Sequence, residues 1–343
     1  MFWAIVALLV FAIAVGASYQ ITQSASDAAR FPPPGKLITI APGRRLHIDC
    51  RGTGGPTVVL EAGIAASSLS WSRVQPRVAE FTRVCSYDRG GLAWSDPSAP
   101  PLTATHMAGQ LHALLGAASL PPKYVLVGHS FGGFVVLAFA SQFREQVAGL
   151  VLVDPIYPSE WLAMSSEQRF RLRGGVFLSR VGGVLARVGV VRACLSLLAG
   201  GSTGVPRTVA KLFGAEASAT LDRLVGEVQK LPPEVWPAVR AHWSQPKCFA
   251  SMAGHLGSLT KSAAELSTRL RPLGDLPMIV ISAASQPLAC KAEHKALAAL
   301  STRGQHVVAP QTGHWVHLDD ATLVVEAIRH VVQAAKSMLR NHA

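Results

Sequence analysis

Acidic residues are scarce in this chain. Asp and Glu number 20 against 32 Lys and Arg, giving a net charge of +12, and charged residues of both signs make up only 15% of 343 positions. Sparse charge beside 49% hydrophobic content excludes wholesale disorder and leaves material for a large core. Clustered base is missing too. Lys and Arg are scattered, with no basic tract and no nucleic-acid-binding signature, so no nucleic-acid partner is expected. The surplus charge suits an anionic surface such as lipid headgroups, or a generally basic proteome. Cysteine is sparse and dispersed: Cys50, Cys85, Cys194, Cys248 and Cys290 show no metal-ligand spacing, and neither a metal nor an organic cofactor is implied.

No charge precedes Asp27 and no basic residue precedes Arg30. Residues 2–17 are continuously apolar and, with Ser18 and Tyr19, are just long enough for a bilayer, which needs about 20. Trp3 and Tyr19 would mark the two interfaces. Without a basic leader region, segment 1–23 reads as an uncleaved single-pass membrane anchor. Export after signal-peptide cleavage near Val15-Gly16-Ala17 is the alternative. Arg30 and Lys36 follow the span, which weakly favours a cytoplasmic C-terminal domain. Residues 24–36, closing on Phe31-Pro32-Pro33-Pro34-Gly35, read as a semi-rigid linker.

The remainder turns on residues 125–133, Val-Leu-Val-Gly-His-Ser-Phe-Gly-Gly. An apolar run at 124–127 predicts a buried strand, and 134–140 predicts a helix. A serine on so tight a turn sits in strained backbone. Gly128 and Gly132 remove side chains where chain segments must pass closely. The Ser130 hydroxyl is thereby lifted off the sheet, beside a helix N-terminus. Further strands are expected at 37–40, 45–49, 57–60, 83–87, 147–153, 276–282 and 305–308. Helices are expected at 103–117, capped by Thr103 or Thr105, at 290–300 and at 319–336. Gly174, Gly182, Gly183 and Gly200-Gly201 are expected to break or bound a helical run at 176–198.

From about 46 to 335 the chain resembles the α/β-hydrolases. The resemblance rests on Glu61-Ala62-Gly63 with Trp71, Tyr87-Asp88-Arg89-Gly90-Gly91 with Ser95-Asp96, and Gly128-His129-Ser130-Phe131-Gly132-Gly133. It is completed by Leu152-Val153-Asp154-Pro155 and Thr312-Gly313-His314-Trp315-Val316-His317, all in the family's order. It implies an α/β fold with a mostly parallel eight-stranded sheet. The core would occupy 37–155 and 275–343, with a helical cap at 156–274 inserted after strand 6. That cap would line a greasy pocket; Arg180, Arg187 and Arg192 would also suit a helix lying in a membrane interface.

The same resemblance makes Ser130 the nucleophile and His314 its base. The backbone N–H groups of Ile64 and Phe131 would hold the oxyanion, although Ala62 stands where the family usually has histidine. The acid usually follows the strand at 278–281, where this chain has Ser282-Ala283-Ala284-Ser285-Gln286-Pro287 and no carboxylate. Asp154 is the substitute, Glu293 the next candidate, and a Ser–His pair without an acid the third. Asp88 and Arg89 read as a structural ion pair, His129 as buried, and His317 as turned elsewhere. The family's sheet sets the strand of Cys50 beside that of Cys85, so a bridge is conceivable, with buried free thiols the favoured reading. The expected function is a serine hydrolase acting on a small ester-like acyl substrate with an apolar portion. An acyltransferase, a peroxidase-like or carbon–carbon hydrolase, or an inactive membrane-tethered binding protein are the alternatives. Epoxide- and halide-processing members use an aspartate nucleophile, which Ser130 argues against. Oligomeric state is not legible.

Overall fold

Twenty-nine residues of helix come first. In the computed structural model, which describes residues 1–199, 208 and 229–341, helix α1 spans Phe2–Arg30. Its first half projects away from the rest of the chain, with Phe2, Trp3, Leu8, Leu9 and Phe11 exposed. Its second half is docked. Gly16 lies against the backbone carbonyl of Val188, where a Cβ would come within 2.3 Å. The buried Arg192 guanidinium donates to Gln20 Oε1 (3.0 Å), to the Asp27 carboxylate and to Ser24 Oγ (3.3 Å), while Gln20 Nε2 donates to the Ser244 carbonyl (3.0 Å). These contacts keep 24–30 helical, so the spacer begins after Arg30 and not at Ser24. The charge on Arg192, read from sequence as a surface feature of the cap, is internal.

Strands β1 (Lys36–Ala41) and β2 (Arg44–Arg51) form a hairpin, with Gly43 at φ +67 in its turn. Then follow β3 (Thr57–Glu61), α2 (Gln75–Val78), β4 (Val84–Tyr87), α3 (Ala104–Ala117), β5 (Tyr124–His129), α4 (Phe131–Gln142) and β6 (Val147–Val153). Thr103 caps α3 by accepting from the His106 N–H. After β6 come α5 (Pro158–Leu162), α6 (Ser166–Arg187), α7 (Val190–Ala199), α8 (Trp236–Trp243), α9 (Pro246–Gly257) and α10 (Leu259–Arg269). Cap residues 200–207 and 209–228 lie outside the described residues. The core resumes with β7 (Met278–Ala283), α11 (Leu288–Ala298), β8 (Gly304–Ala309), α12 (Val316–Asp319) and α13 (Ala321–Asn341).

The eight strands lie in the order β1-β2-β4-β3-β5-β6-β7-β8, parallel from β4 through β8. Every residue of β5 and β6 is buried, because helices cover both faces. Leu111, Leu114, Phe134, Leu137 and Leu266 of α3, α4 and α10 pack on one side, and Val324, Ile328, Val331 and Val332 of α13 on the other.

Two expectations are corrected. Helix α6 runs unbroken through Gly174, Gly182 and Gly183. Gly182 instead admits the ring of Phe249, which a Cβ would meet at 2.5 Å, and the turn comes at Gly189 (φ +76). Cys50 and Cys85 are not free thiols but a disulfide (S–S 2.06 Å). The antiparallel register of β2 and β4 sets them directly opposite, with Cα atoms 4.0 Å apart.

Burial of histidine has a consequence for pH. Burial lowers His129 and His255 well below the ordinary value, takes His317 to about 3 and His242 to about 4. His47 is raised: burial lowers it, but the hydrogen bond and charge of Asp88, with the Pro34 carbonyl and the Asp49 charge, together outweigh that. Where the folded value is depressed, the unfolded chain binds the proton first, so stability is lost as pH falls below about 6.5. Each such group contributes a slope of roughly 1 kcal/mol per pH unit in that window, whereas His47 acts above about 6.5, where its stabilisation is lost as pH rises. The urea midpoint should therefore drop markedly between pH 7 and pH 5; a flat or rising midpoint would contradict the buried, neutral assignment.

Candidate active site

Strand β5 ends at His129, and the chain turns into α4 through Ser130, whose φ of 54° and ψ of −121° lie outside the regions open to most residues. The turn is held by the Ser130 N–H donating to the Val153 carbonyl (3.0 Å) and the Gly133 N–H donating to the Ser130 carbonyl (2.9 Å). Two glycines are needed there. A Cβ on Gly128 would lie 2.6 Å from the Gly132 carbonyl oxygen, and one on Gly132 would lie 2.6 Å from that of Glu61.

The loop after β8 brings His314 to the same sheet edge. Its Nε2 is 2.9 Å from Ser130 Oγ, and its Nδ1 is 2.6 Å from Asp154 Oδ2. A carboxylate can only accept, so Asp154 fixes the proton on Nδ1 and leaves Nε2 free to take one from the serine. The Asp154 side chain is fully buried, whereas that of His314 is 40% exposed and open to a ligand. Burial works against the Asp154 charge. The hydrogen bond and charge of His314, the Ala283 N–H (2.9 Å) and the Gln286 amide (2.6 Å) outweigh it and hold the carboxyl below its ordinary range. Residues 282–287, where the family usually keeps its acid, thus supply donors to a carboxylate on the neighbouring strand. Glu293, on α11, is not among the partners of His314.

Removing one of those donors should be felt in rate more than in fold. Gln286→Ala is expected to lower kcat about tenfold, the scale of one hydrogen bond to a charged group, in a protein that still folds and melts cooperatively. Unchanged kcat would show that Gln286 does not orient Asp154.

The turn after β3 is arranged by Arg89. Its guanidinium donates to the Glu61 carboxylate, the Ala62 carbonyl (2.6 Å) and the Gly63 carbonyl. Tyr87 Oη donates to the same carboxylate. Burial pushes the Glu61 carboxyl up, and Arg89 and Tyr87 draw it back only in part. Asp88 does not pair with Arg89, as the sequence led us to expect. Its carboxylate accepts from His47 Nδ1 (2.7 Å) and the Ser68 N–H (2.7 Å), since adjacent side chains leaving a strand point to opposite faces. In a trans peptide the C=O and N–H point oppositely, so a Gly63 carbonyl turned to Arg89 turns the Ile64 N–H away from it. Gly63 stands beside the elbow, where a Cβ would lie 3.4 Å from Ser130 Cβ. Phe131 is the first residue of α4, so its N–H has no acceptor within the helix.

His129 and His317 have positions that spacing did not reveal. His129 Nε2 donates to the His314 carbonyl (2.9 Å), tying the loop to the elbow strand. His317 is buried, its ring centroid 4.4 Å from that of His129 and 4.6 Å from that of Trp71.

A profile of the α/β hydrolase fold matches residues 56–193. An uncharacterised protein of Schizosaccharomyces pombe is 26% identical over 87% of this chain and 56% of its own length. A haloalkane dehalogenase of Sphingobium indicum is 32% identical over 39% of this chain and 46% of its own. The chain spans 56% or less of the first curated relatives' lengths. Among solved structures, a thermophilic esterase from Thermogutta terrifontis superposes with TM-score 0.62 at 23% identity, covering 88% of this chain and 98% of that one. The sheet order, the matched profile and the superposition together show that this chain has the α/β hydrolase fold.

Proposed function

We propose that the chain is a serine hydrolase that cleaves an ester-like acyl substrate with an apolar portion. The observation that carries this reading is the hydrogen-bonded series from Ser130 through His314 to Asp154. Ser130 Oγ attacks the acyl carbon as its proton passes to His314 Nε2. The N–H groups of Ile64 and Phe131 take the charge that develops on the carbonyl oxygen. Collapse breaks the carbon–oxygen bond to the alcohol, which leaves with the proton from His314. Water, deprotonated by His314, then attacks the acyl-serine and releases the acid and the free hydroxyl. Asp154 stays ionised throughout and stabilises the imidazolium. Half-buried Ile64, Ile156, Tyr157 and Trp161 offer an apolar surface for the acyl group on this side of the sheet. The haloalkane dehalogenase relative does not set the chemistry, because the elbow here carries a serine and not the aspartate used by halide-processing members.

The membrane placement belongs to the same proposal. Helix α1 is long and apolar enough to span a bilayer, and its apolar first half is not covered by the rest of the chain, which supports an anchor. The Cys50–Cys85 bridge supports a domain on the oxidising side of that membrane, opposite to the weak indication of Arg30 and Lys36.

A ladder of p-nitrophenyl esters from acetate to palmitate tests the substrate class. The proposal expects turnover that increases beyond acetate and disappears in Ser130→Ala. Turnover of none of these esters by folded protein would overturn it.

A further inference from the structure

Helix α6 carries an outward stripe that the site around Ser130 does not use. Phe170, Phe177 and Val184 recur every seven residues and are 71%, 61% and 57% exposed. Arg173, Arg180 and Arg187 recur at the same interval and are also exposed. Among the described residues none of these three has an acidic partner, whereas Arg192 is locked in the interior. Seven residues at about 100° each return almost to the same face. An apolar row and a cationic row therefore run side by side along α6. So much exposed aromatic surface on one helix marks an interaction face.

We propose that this stripe lies on the anionic surface of the bilayer that holds α1. The two rows match the two layers of a membrane interface: aromatic rings reach the acyl boundary while arginines extend to headgroup phosphates. Continuity with α1 fixes the occupant. Gly16, at the end of the exposed apolar run, packs on Val188 at the C-terminal end of α6, and Asp27 and Gln20 bind Arg192 just beyond. A bilayer enclosing residues 2–15 must begin next to that junction. The cap is thus held between a helix inserted in the bilayer and one lying on its surface, whatever reaction the site below it performs.

The test needs no turnover. Full-length protein carrying Phe177→Trp is reconstituted in vesicles of phosphatidylcholine with about 30% phosphatidylglycerol. Its emission, less that of wild type, is then followed as lipids brominated along the acyl chain are added. Quenching by half or more is expected. Glu326→Trp, exposed on α13, should stay unquenched. Adding Arg173→Gln, Arg180→Gln and Arg187→Gln to Phe177→Trp should reduce quenching at least twofold while α1 remains inserted. No quenching at position 177 in a protein of native helicity would overturn the proposal. So would quenching unchanged by the three substitutions, or cross-links between two copies through position 177.

Discussion

Asp154→Asn should leave a folded protein whose kcat is lower by two to four orders of magnitude, with KM within a few-fold of wild type. The size follows from the tautomer and not from lost charge alone. An asparagine at 154 would still accept from the Ala283 N–H through Oδ1, but its amide nitrogen would face His314 Nδ1 and donate to it. The imidazole would then keep its proton on Nε2, and the Ser130 hydroxyl, 2.9 Å away, would lose its base. About 10⁴ is the loss known for such a tautomer reversal elsewhere. The wild-type carboxylate also adds a pH limb. Its folded value is depressed, so its stabilisation is complete above the ordinary carboxylate range and is lost as pH falls through the folded value. The variant should therefore lose less stability than wild type on acidification below about pH 4. Steady-state kinetics and urea melts at two pH values check both parts. Equal kcat in the two proteins would remove Asp154 from the mechanism.

Arg89→Met should be the most damaging substitution outside the Ser–His–Asp series. The guanidinium is 3% exposed and bridges a buried carboxylate and two consecutive backbone carbonyls. Removing it leaves Glu61 buried without a counter-charge, hydrogen-bonded only to Tyr87, which costs about 3 kcal/mol or more. It also frees the Gly63 peptide, and with it the Ile64 N–H, at a cost of about 10²–10³ in kcat if that group holds the oxyanion. The double variant Arg89→Met/Glu61→Gln separates the effects. Neutralising both partners should return most of the stability and none of the rate. Recovery of rate along with stability would show that Arg89 acts on the fold alone.

The sheet was legible because its strands are short apolar runs bounded by Gly and Pro, and the elbow because only glycine fits at 128 and 132. Asp154 was legible as a candidate only through the resemblance, which implies an acid just after β7 where residues 282–287 hold no carboxylate, and Glu293 stayed open beside it. Gln286 was not legible. Its amide reaches Asp154 across 132 positions, and a glutamine in a turn carries no spacing signal. Arg89 was visible but given the wrong partner, because adjacency in sequence favours Asp88 while strand geometry sends the two side chains apart. The glycines of α6 misled for a similar reason. Gly182 is a seat for Phe249, a contact between helices that periodicity along one helix does not record. Arg192 read as surface charge because its three acceptors lie in an N-terminal helix judged to be anchor and linker.

The central claim is that one hydroxyl, at the strained turn after β5, is the nucleophile. Incubation of the full-length protein with a fluorophosphonate, followed by peptide mass analysis, measures it most directly. The account predicts a single adduct on Ser130, absent in Ser130→Ala and formed at least a hundredfold more slowly in His314→Ala. An adduct on another residue, or none on folded wild-type protein, would contradict it.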